Sequence, residues 1–221
     1  RALKMVGSNV SMPNKTVVHK YLDKLSPAAE MCGAVNTIVN EDGVLTGHIT
    51  DGTGYMMSLK DNGVDVIGKK MTIVGAGGAA RSILKYLEDS KAKKIVLVSR
   101  DKEKVFKKFK DFNINFMSYG ELEEIHEEFA LINTTPCGMY PNTNSVAVSE
   151  KVIKKFKVAL DIVYNPLETK FLKMAKDNGL KTVDGLFMLV GQGVKAEEIW
   201  NGIKVDKSTE ENIYEELKCR F

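Results

Sequence analysis

Residues 71–84 read MTIVGAGGAARSIL. A short apolar run, Met71 to Val74, meets a cluster of glycines and then apolar residues at helical spacing, which predicts strand, tight turn and helix in direct succession. Gly75, Gly77 and Ala80 match G-x-G-x-x-A in the strand-to-helix context that gives this pattern its meaning. The first glycine permits the turn, the second lets backbone approach a pyrophosphate, and the small residue lets helix and strand pack closely. The free N–H groups of the helix start then face the anion. The competing reading is a glycine-rich turn kept for packing alone.

Outward from this loop the same alternation continues. KIVLVS, FALIN, VALDIVY and LKTVD are apolar runs rich in Val, Ile and Leu, separated by the helical stretches DKEKVFKKFK, VSEKVIKKF and ETKFLKMAKDNG. Continuous apolar runs of this kind suit parallel strands covered by helices on both faces, so residues 53–185 are expected to form a doubly wound, Rossmann-type α/β domain. Asn178-Gly179 is expected to close the helix that begins near Glu168. Before Lys69 the segments are shorter: GSNVSM, GAVNTIVN and VLTGHIT, with a turn at Asp42-Gly43, followed by the helical GTGYMMSLKDN. Two helices close the chain, GLFMLVGQGVKAEEIWNG and STEENIYEELKCRF, the second with Ser208 and Glu211 at capping-box spacing. Residues 1–52 and 186–221 are therefore expected to form a smaller α/β lobe, with a site where the lobes meet.

With 221 residues, 43% hydrophobic and 28% charged, the chain is long enough for such a core. Acidic and basic residues are interspersed and the net charge is +3, which argues against a nucleic-acid partner. No run of 18 apolar residues suggests a membrane span. Cys32, Cys137 and Cys219 are far apart with no C-x-x-C, which fits a reducing compartment, the cytoplasm, and no structural metal.

About 20 residues beyond the loop, where a nucleotide ribose is read, the strand IVLV ends in Ser99-Arg100-Asp101. Arg100 can pair with a 2′-phosphate and stack on adenine, with Lys102 or Lys104 adding charge, which favours NADP. Asp101 can instead hold a ribose hydroxyl, as an NAD site would, or cap the next helix. A dinucleotide that delivers hydride to a carbonyl leaves charge on oxygen, which needs a positioned donor from the other lobe. Lys15, Asn36 and Asp51 each lie near the end of a short segment before the connection and can converge there. Singly, each has a plainer role: a solvated lysine, a turn asparagine, a helix N-cap.

Taken in order, NVSMPNK, GAVNT, GHITDGTG, IVGAGGAAR, INTTPCGM, DIVYNP and DGLFMLVGQG resemble the shikimate/quinate dehydrogenase family over essentially the whole chain. The resemblance implies an oxidoreductase that reduces 3-dehydroshikimate to shikimate in aromatic amino-acid synthesis, with NADP, or NAD, as cofactor, acting as a monomer or homodimer. It also implies roles for single residues. Lys15 and Asp51 fall on the catalytic pair, Ser11, Asn36, Tyr164 and Gln192 on substrate-binding positions. Gly75, Ala76, Gly77, Gly78, Ala79 and Ala80, then Ser99, Arg100 and Lys104, then Asn133, Thr134 and Met188, fall on the cofactor site.

The sequence departs from the family in places. Ile49 replaces the asparagine of N-T-D, removing a polar group beside Asp51, and Asp101 enters the cofactor strand end. Family members begin with a strand and helix carrying an S-x-S segment that holds the substrate carboxylate, and none precedes Arg1; Ser26-Pro27 lies between the wrong blocks. The expectation is a piece of a longer or fused chain, or a protein without that anchor, with one sheet edge of the small lobe unpaired.

Overall fold

The computed structural model describes residues 5–221; the first four residues assigned to the small lobe lie outside them. Among the described residues the strands, in chain order, are β1 (Gly7–Asn9), β2 (Lys24–Leu25), β3 (Thr37–Glu41), β4 (Val44–His48), β5 (Lys70–Val74), β6 (Lys94–Val98), β7 (Asn115–Met117), β8 (Ala130–Asn133), β9 (Val158–Asp161) and β10 (Lys181–Val183). The helices are α1 (Pro27–Cys32), α2 (Asp51–Asp61), α3 (Gly78–Asp89), α4 (Lys102–Lys108), α5 (Tyr119–Glu123), α6 (Glu150–Ile153), α7 (Lys170–Asp177), α8 (Leu186–Asn201) and α9 (Lys207–Lys218).

The second sheet runs β10-β9-β8-β5-β6-β7 and is wholly parallel. From β5 the chain winds outward through β6 and β7, then returns to β8 and winds the other way, so the order reverses between β5 and β8. Doubly wound sheets bind ligands at that reversal, beyond the carboxyl ends of the strands. Register puts Val74 level with Val98 on one side and Asn133 on the other, so Gly75, Ser99 and Thr134 share one rim. Buried apolar residues lie on both faces of the sheet, as the unbroken apolar runs require. The strand β7 and the helix α5 are not expected from the sequence, because the three residues of NFM and the five of α5 give too short a pattern to register.

The smaller sheet runs β1-β3-β4-β2. Asp42 and Gly43, with φ of 50° and 89°, form the two-residue turn of the β3–β4 hairpin, as their identities suggest. Ser26 caps α1 by accepting from Ala29 N at 3.2 Å, Pro27 opens it, and Gly33 closes it in the left-handed region. Among the described residues β1 is an edge strand.

Two helices join the sheets. α2 leaves the small sheet and packs on the large one, with Tyr55 and Leu59 in the core shared with β5 and α3. α8 crosses it so closely that a Cβ on Gly54 would lie 2.5 Å from the Met188 carbonyl and 2.6 Å from Gln192 N. At its far end Trp200 donates to the Ile38 carbonyl of β3 at 2.9 Å. α9 starts one residue before Ser208. Asp206 is its N-cap, accepting from Thr209 N, and Ser208 Oγ donates to the same carboxylate, so the charged acceptor takes the role expected of Ser208. No helix among the described residues is long and apolar enough to cross a membrane.

Candidate active site

Lys15 lies in a 3-10 turn, Asn14–Thr16, whose place is fixed by the Lys15 carbonyl accepting from Val35 N at 2.8 Å. Asn36 is held on both backbone sides, its N–H donating to His48 O at 2.9 Å and its carbonyl accepting from Val10 N at 2.7 Å. Its side chain has one orientation: Oδ1 accepts from Thr50 N, which can only donate, so Nδ2 must face the other way. There Nδ2 reaches Asp51 Oδ1 at 3.0 Å, Thr50 Oγ1 at 2.9 Å and Gln192 Oε1 at 2.9 Å. Thr50 Oγ1 in turn donates to the Gln192 carbonyl.

Asp51 is the first residue of α2. Its carboxylate lies 3.0 and 2.8 Å from Lys15 Nζ, with side-chain exposures of 18% for the lysine and 5% for the aspartate. A carboxylate this buried needs an opposite charge and hydrogen bonds, and it has both, with the positive end of the α2 dipole besides. The ammonium has three donors and this pair occupies at most two, which leaves one for another oxygen. Thus Lys15, Asn36, Asp51 and Gln192 form one connected cluster, and N-capping is not what Asp51 does. Ile49 does not weaken it: the side chain belongs to the apolar core with Ala29, Cys32 and Val35.

Ser11 and Tyr164 are not tied into the cluster by any hydrogen bond. Ser11 is exposed and its carbonyl closes a turn to Asn14, while Tyr164 stands edge-on to Phe221 with ring centroids 5.3 Å apart.

The glycine-rich loop lies beside this cluster. Tyr86 of α3 shares a 2.7 Å hydrogen bond with Thr53, and Ser82 lies against Gly52, so the helix that starts at the loop packs on the first turn of α2. Gly75 has φ of 102°, and a Cβ there would meet Thr134 Oγ1 at 2.8 Å, so both conformation and packing demand glycine. Gly77 and Gly78 differ: a Cβ on either would meet nothing within 4 Å. The space over them is open, and Gly77, the N-cap of α3, supplies no side-chain acceptor to its first-turn N–H groups. Ala80 is fully buried, as helix-on-strand packing requires. An open cradle of backbone donors fits a dinucleotide pyrophosphate.

On the same rim Ser99, Arg100 and Lys104 surround the end of β6, Arg100 and Lys104 being exposed. Asp101 caps α4, with Oδ1 accepting from Lys104 N at 2.9 Å, so of its competing roles the structure gives it the cap. Asn133 is buried at the end of β8: Nδ2 donates to Asp161 Oδ1 at 2.9 Å, and Oδ1 accepts from Thr135 N and Oγ1. Asp161, 3% exposed, also accepts from Val163 N and Thr169 Oγ1, and burial pushes its carboxyl up to about 6 despite these bonds. Met188 is buried on α8, one turn before Gln192.

Thr50, Asp161 and Thr169 carry no sequence signal of their own: a threonine or a strand-end aspartate becomes a site residue only through its neighbours in space.

Two family models match the chain: the shikimate dehydrogenase substrate binding domain over residues 1–38, and shikimate / quinate 5-dehydrogenase over residues 58–186. A shikimate dehydrogenase (NADP(+)) of Clostridium perfringens is 79% identical over 221 residues, which are 100% of this chain and 82% of the relative. Among solved structures, a chorismate mutase/shikimate 5-dehydrogenase fusion protein from Clostridium acetobutylicum superposes with a TM-score of 0.95 at 39% identity, covering 99% of this chain and 79% of that one. A shikimate 5-dehydrogenase from Listeria monocytogenes, in complex with shikimate and NAD, gives 0.81 at 43% identity, covering 96% and 78%. With an open phosphate cradle beside a lysine–aspartate pair, and with both family models matched, this chain belongs to the shikimate dehydrogenase family.

Proposed function

We propose that the chain is an NADP-dependent shikimate dehydrogenase, reversibly reducing 3-dehydroshikimate to shikimate, with Lys15 and Asp51 as its catalytic pair. The observation that carries this is the cluster of Lys15, Asp51, Asn36 and Gln192 beside the helix of the nucleotide loop. The names of the relatives supply substrate and cofactor. Gly75–Ala80 and the end of β6 would hold the dinucleotide, which would supply hydride as NADPH and accept it as NADP+.

The protein's part follows from the geometry. Lys15, as an ammonium with a donor to spare, hydrogen-bonds the substrate carbonyl oxygen and gives it a proton as charge builds there. Asp51 keeps the amine aimed, while Asn36 and Gln192, locked to one another, offer amide atoms to substrate hydroxyls. In the oxidative direction Lys15 takes the proton back. Arg100 and Lys104 supply the charge a 2′-phosphate needs and outnumber Asp101, whose carboxylate is the cap of α4. Residues 53–185 serve as the nucleotide domain and the remainder forms the substrate lobe; Ser11 from the substrate lobe and Tyr164 from the nucleotide domain are the further substrate-binding positions. The site is built within one chain, which suits a monomer or a homodimer, and the free cysteines suit the cytoplasm. NAD is a second acceptor, supported by the relative bound to shikimate and NAD.

The test is absorbance of reduced nicotinamide with shikimate or quinate and NADP or NAD in all four pairings, on this chain and on its longest natural form. Shikimate with NADP is expected to be fastest. A lead for quinate with NAD overturns substrate and cofactor alike, and silence in every pairing with retained NADP binding leaves a non-catalytic nucleotide-binding module.

A further inference from the structure

Around the nucleotide loop lies a group of cations with no acid to match them. Lys108, in the last turn of α4, extends its Nζ to the carbonyl of Ala76, inside the loop, at 3.4 Å. Its own carbonyl accepts from Arg81 of α3 at 2.9 Å, and the Arg81 guanidinium stands over the rings of Phe109 and Phe112. Lys104 lies one turn earlier on α4, on the same helix face. Among the described residues none of Arg81, Lys104 and Lys108 forms an ion pair, although Lys85, Lys102 and Lys207 all do.

By itself this arrangement is unfavourable. Like charges spaced four residues apart destabilise a helix. Desolvation, then Arg81 and Lys104, lower the Lys108 amine from its ordinary range. Among the described residues the partners of that amine are a neutral carbonyl at a long distance and the face of the Phe109 ring, whose centroid lies 5.4 Å from Nζ, neither of which carries a charge. Cations gathered at the cost of mutual repulsion, facing a phosphate-binding loop, are offset when an anion of more than one charge arrives between them.

We infer that Lys108 is a cofactor-specificity residue, closing with Lys104 on the 2′-phosphate of NADP. The 2′-phosphate is favoured over the pyrophosphate because Lys104 and Lys108 belong to the helix that leaves β6, the strand whose end reads the ribose. The backbone donors of Gly77 and Gly78 serve the pyrophosphate. The inference rests on the loop being an NADP site and adds a residue to it.

The experiment is isothermal titration of the protein with 2′,5′-ADP and with 5′-AMP, for wild type, Lys108→Ala and Lys108→Arg. Lys108→Ala is expected to weaken 2′,5′-ADP about tenfold or more while 5′-AMP stays within about twofold, as loss of one charge-assisted contact implies. Lys108→Arg, which keeps charge and reach, is expected to restore most of the affinity and so separates lost charge from lost fold. Equal weakening of both nucleotides, or none of either, overturns the inference, as does a wild type that binds both equally. Turnover of shikimate by the wild type is measured separately, so failure of the reaction assignment shows there and leaves the titration to judge Lys108.

Discussion

At the residue scale, Lys15 is held in an ion pair with Asp51, and in the proposed reaction the ammonium that this pair aims gives the substrate its proton. Lys15→Ala is expected to lower kcat by orders of magnitude while substrate affinity stays within about tenfold, since Asn36 and Gln192 remain in place. Steady-state rates beside equilibrium titration of shikimate check this; an alanine variant with near-normal kcat removes the assignment. Asp161 gives a prediction in pH. Its carboxyl holds its proton more tightly in the fold than in the unfolded chain, so its stabilising contribution is complete below about pH 3.8 and is lost as pH rises through about 6. That shift corresponds to roughly 3 kcal/mol. Asp161→Asn, which keeps a carbonyl for Asn133 and Val163, should remove that slope. Thermal melts across pH 4 to 7 are expected to show wild type losing ground to the variant as pH rises, and parallel curves count against it.

At the element scale, the crossing of α2 and α8 brings Gln192 to Asn36, and it depends on the absence of a side chain at Gly54. Gly54→Ala would set a Cβ 2.5 Å from the Met188 carbonyl and force the helices apart. The expected cost is about 1–3 kcal/mol, as for other overpacked interiors, with a raised KM for shikimate because Gln192 moves with its helix. Gly193→Ala is the control: a Cβ there meets nothing within 4 Å, and alanine should raise stability by up to about 1 kcal/mol through helix propensity. Chemical denaturation of both variants decides, and equal effects would mean that the crossing tolerates the methyl. The identities of α2 and α8 were legible as apolar helical stretches, yet nothing in GTGY or LVGQG says that these glycines face one another. Gly54 and Gly191, 137 positions apart, acquire a common purpose only when their helices cross and a Cβ on Gly191 would lie 3.0 Å from Gly54 Cα.

At the scale of the whole molecule, the small lobe has its own core in Ala29, Cys32, Ala34, Val35 and Ile49, too little to stand alone. It is fastened to the large lobe by α2 and α8, which bury Tyr55, Leu59 and Met188 in the core of the large sheet, while Asn36–Gln192 and Trp200 on Ile38 tie α8 to the small sheet. The expected result is one cooperative unfolding transition. Trp200 is the single tryptophan, so its fluorescence follows the small lobe while far-UV circular dichroism follows the large sheet. The two curves should coincide in urea, and an earlier fluorescence transition would show lobes that unfold separately. The sequence alone determined the doubly wound sheet, the hairpin at Asp42-Gly43 and the glycine loop, because strand burial, left-handed turns and free helix N-termini are local requirements that leave local patterns. Family resemblance singled out Lys15 and Asp51 from residues whose isolated readings were ordinary. Only the tertiary structure decided that Lys15 pairs with Asp51, that Asp101 serves its own helix, that Thr50 and Asp161 are bound into buried hydrogen bonds, and that Lys108 reaches back to the glycine loop. A hydrogen bond between residues far apart in the chain has no periodicity to betray it; it exists once packing has brought donor to acceptor and closed off the water that would otherwise satisfy both.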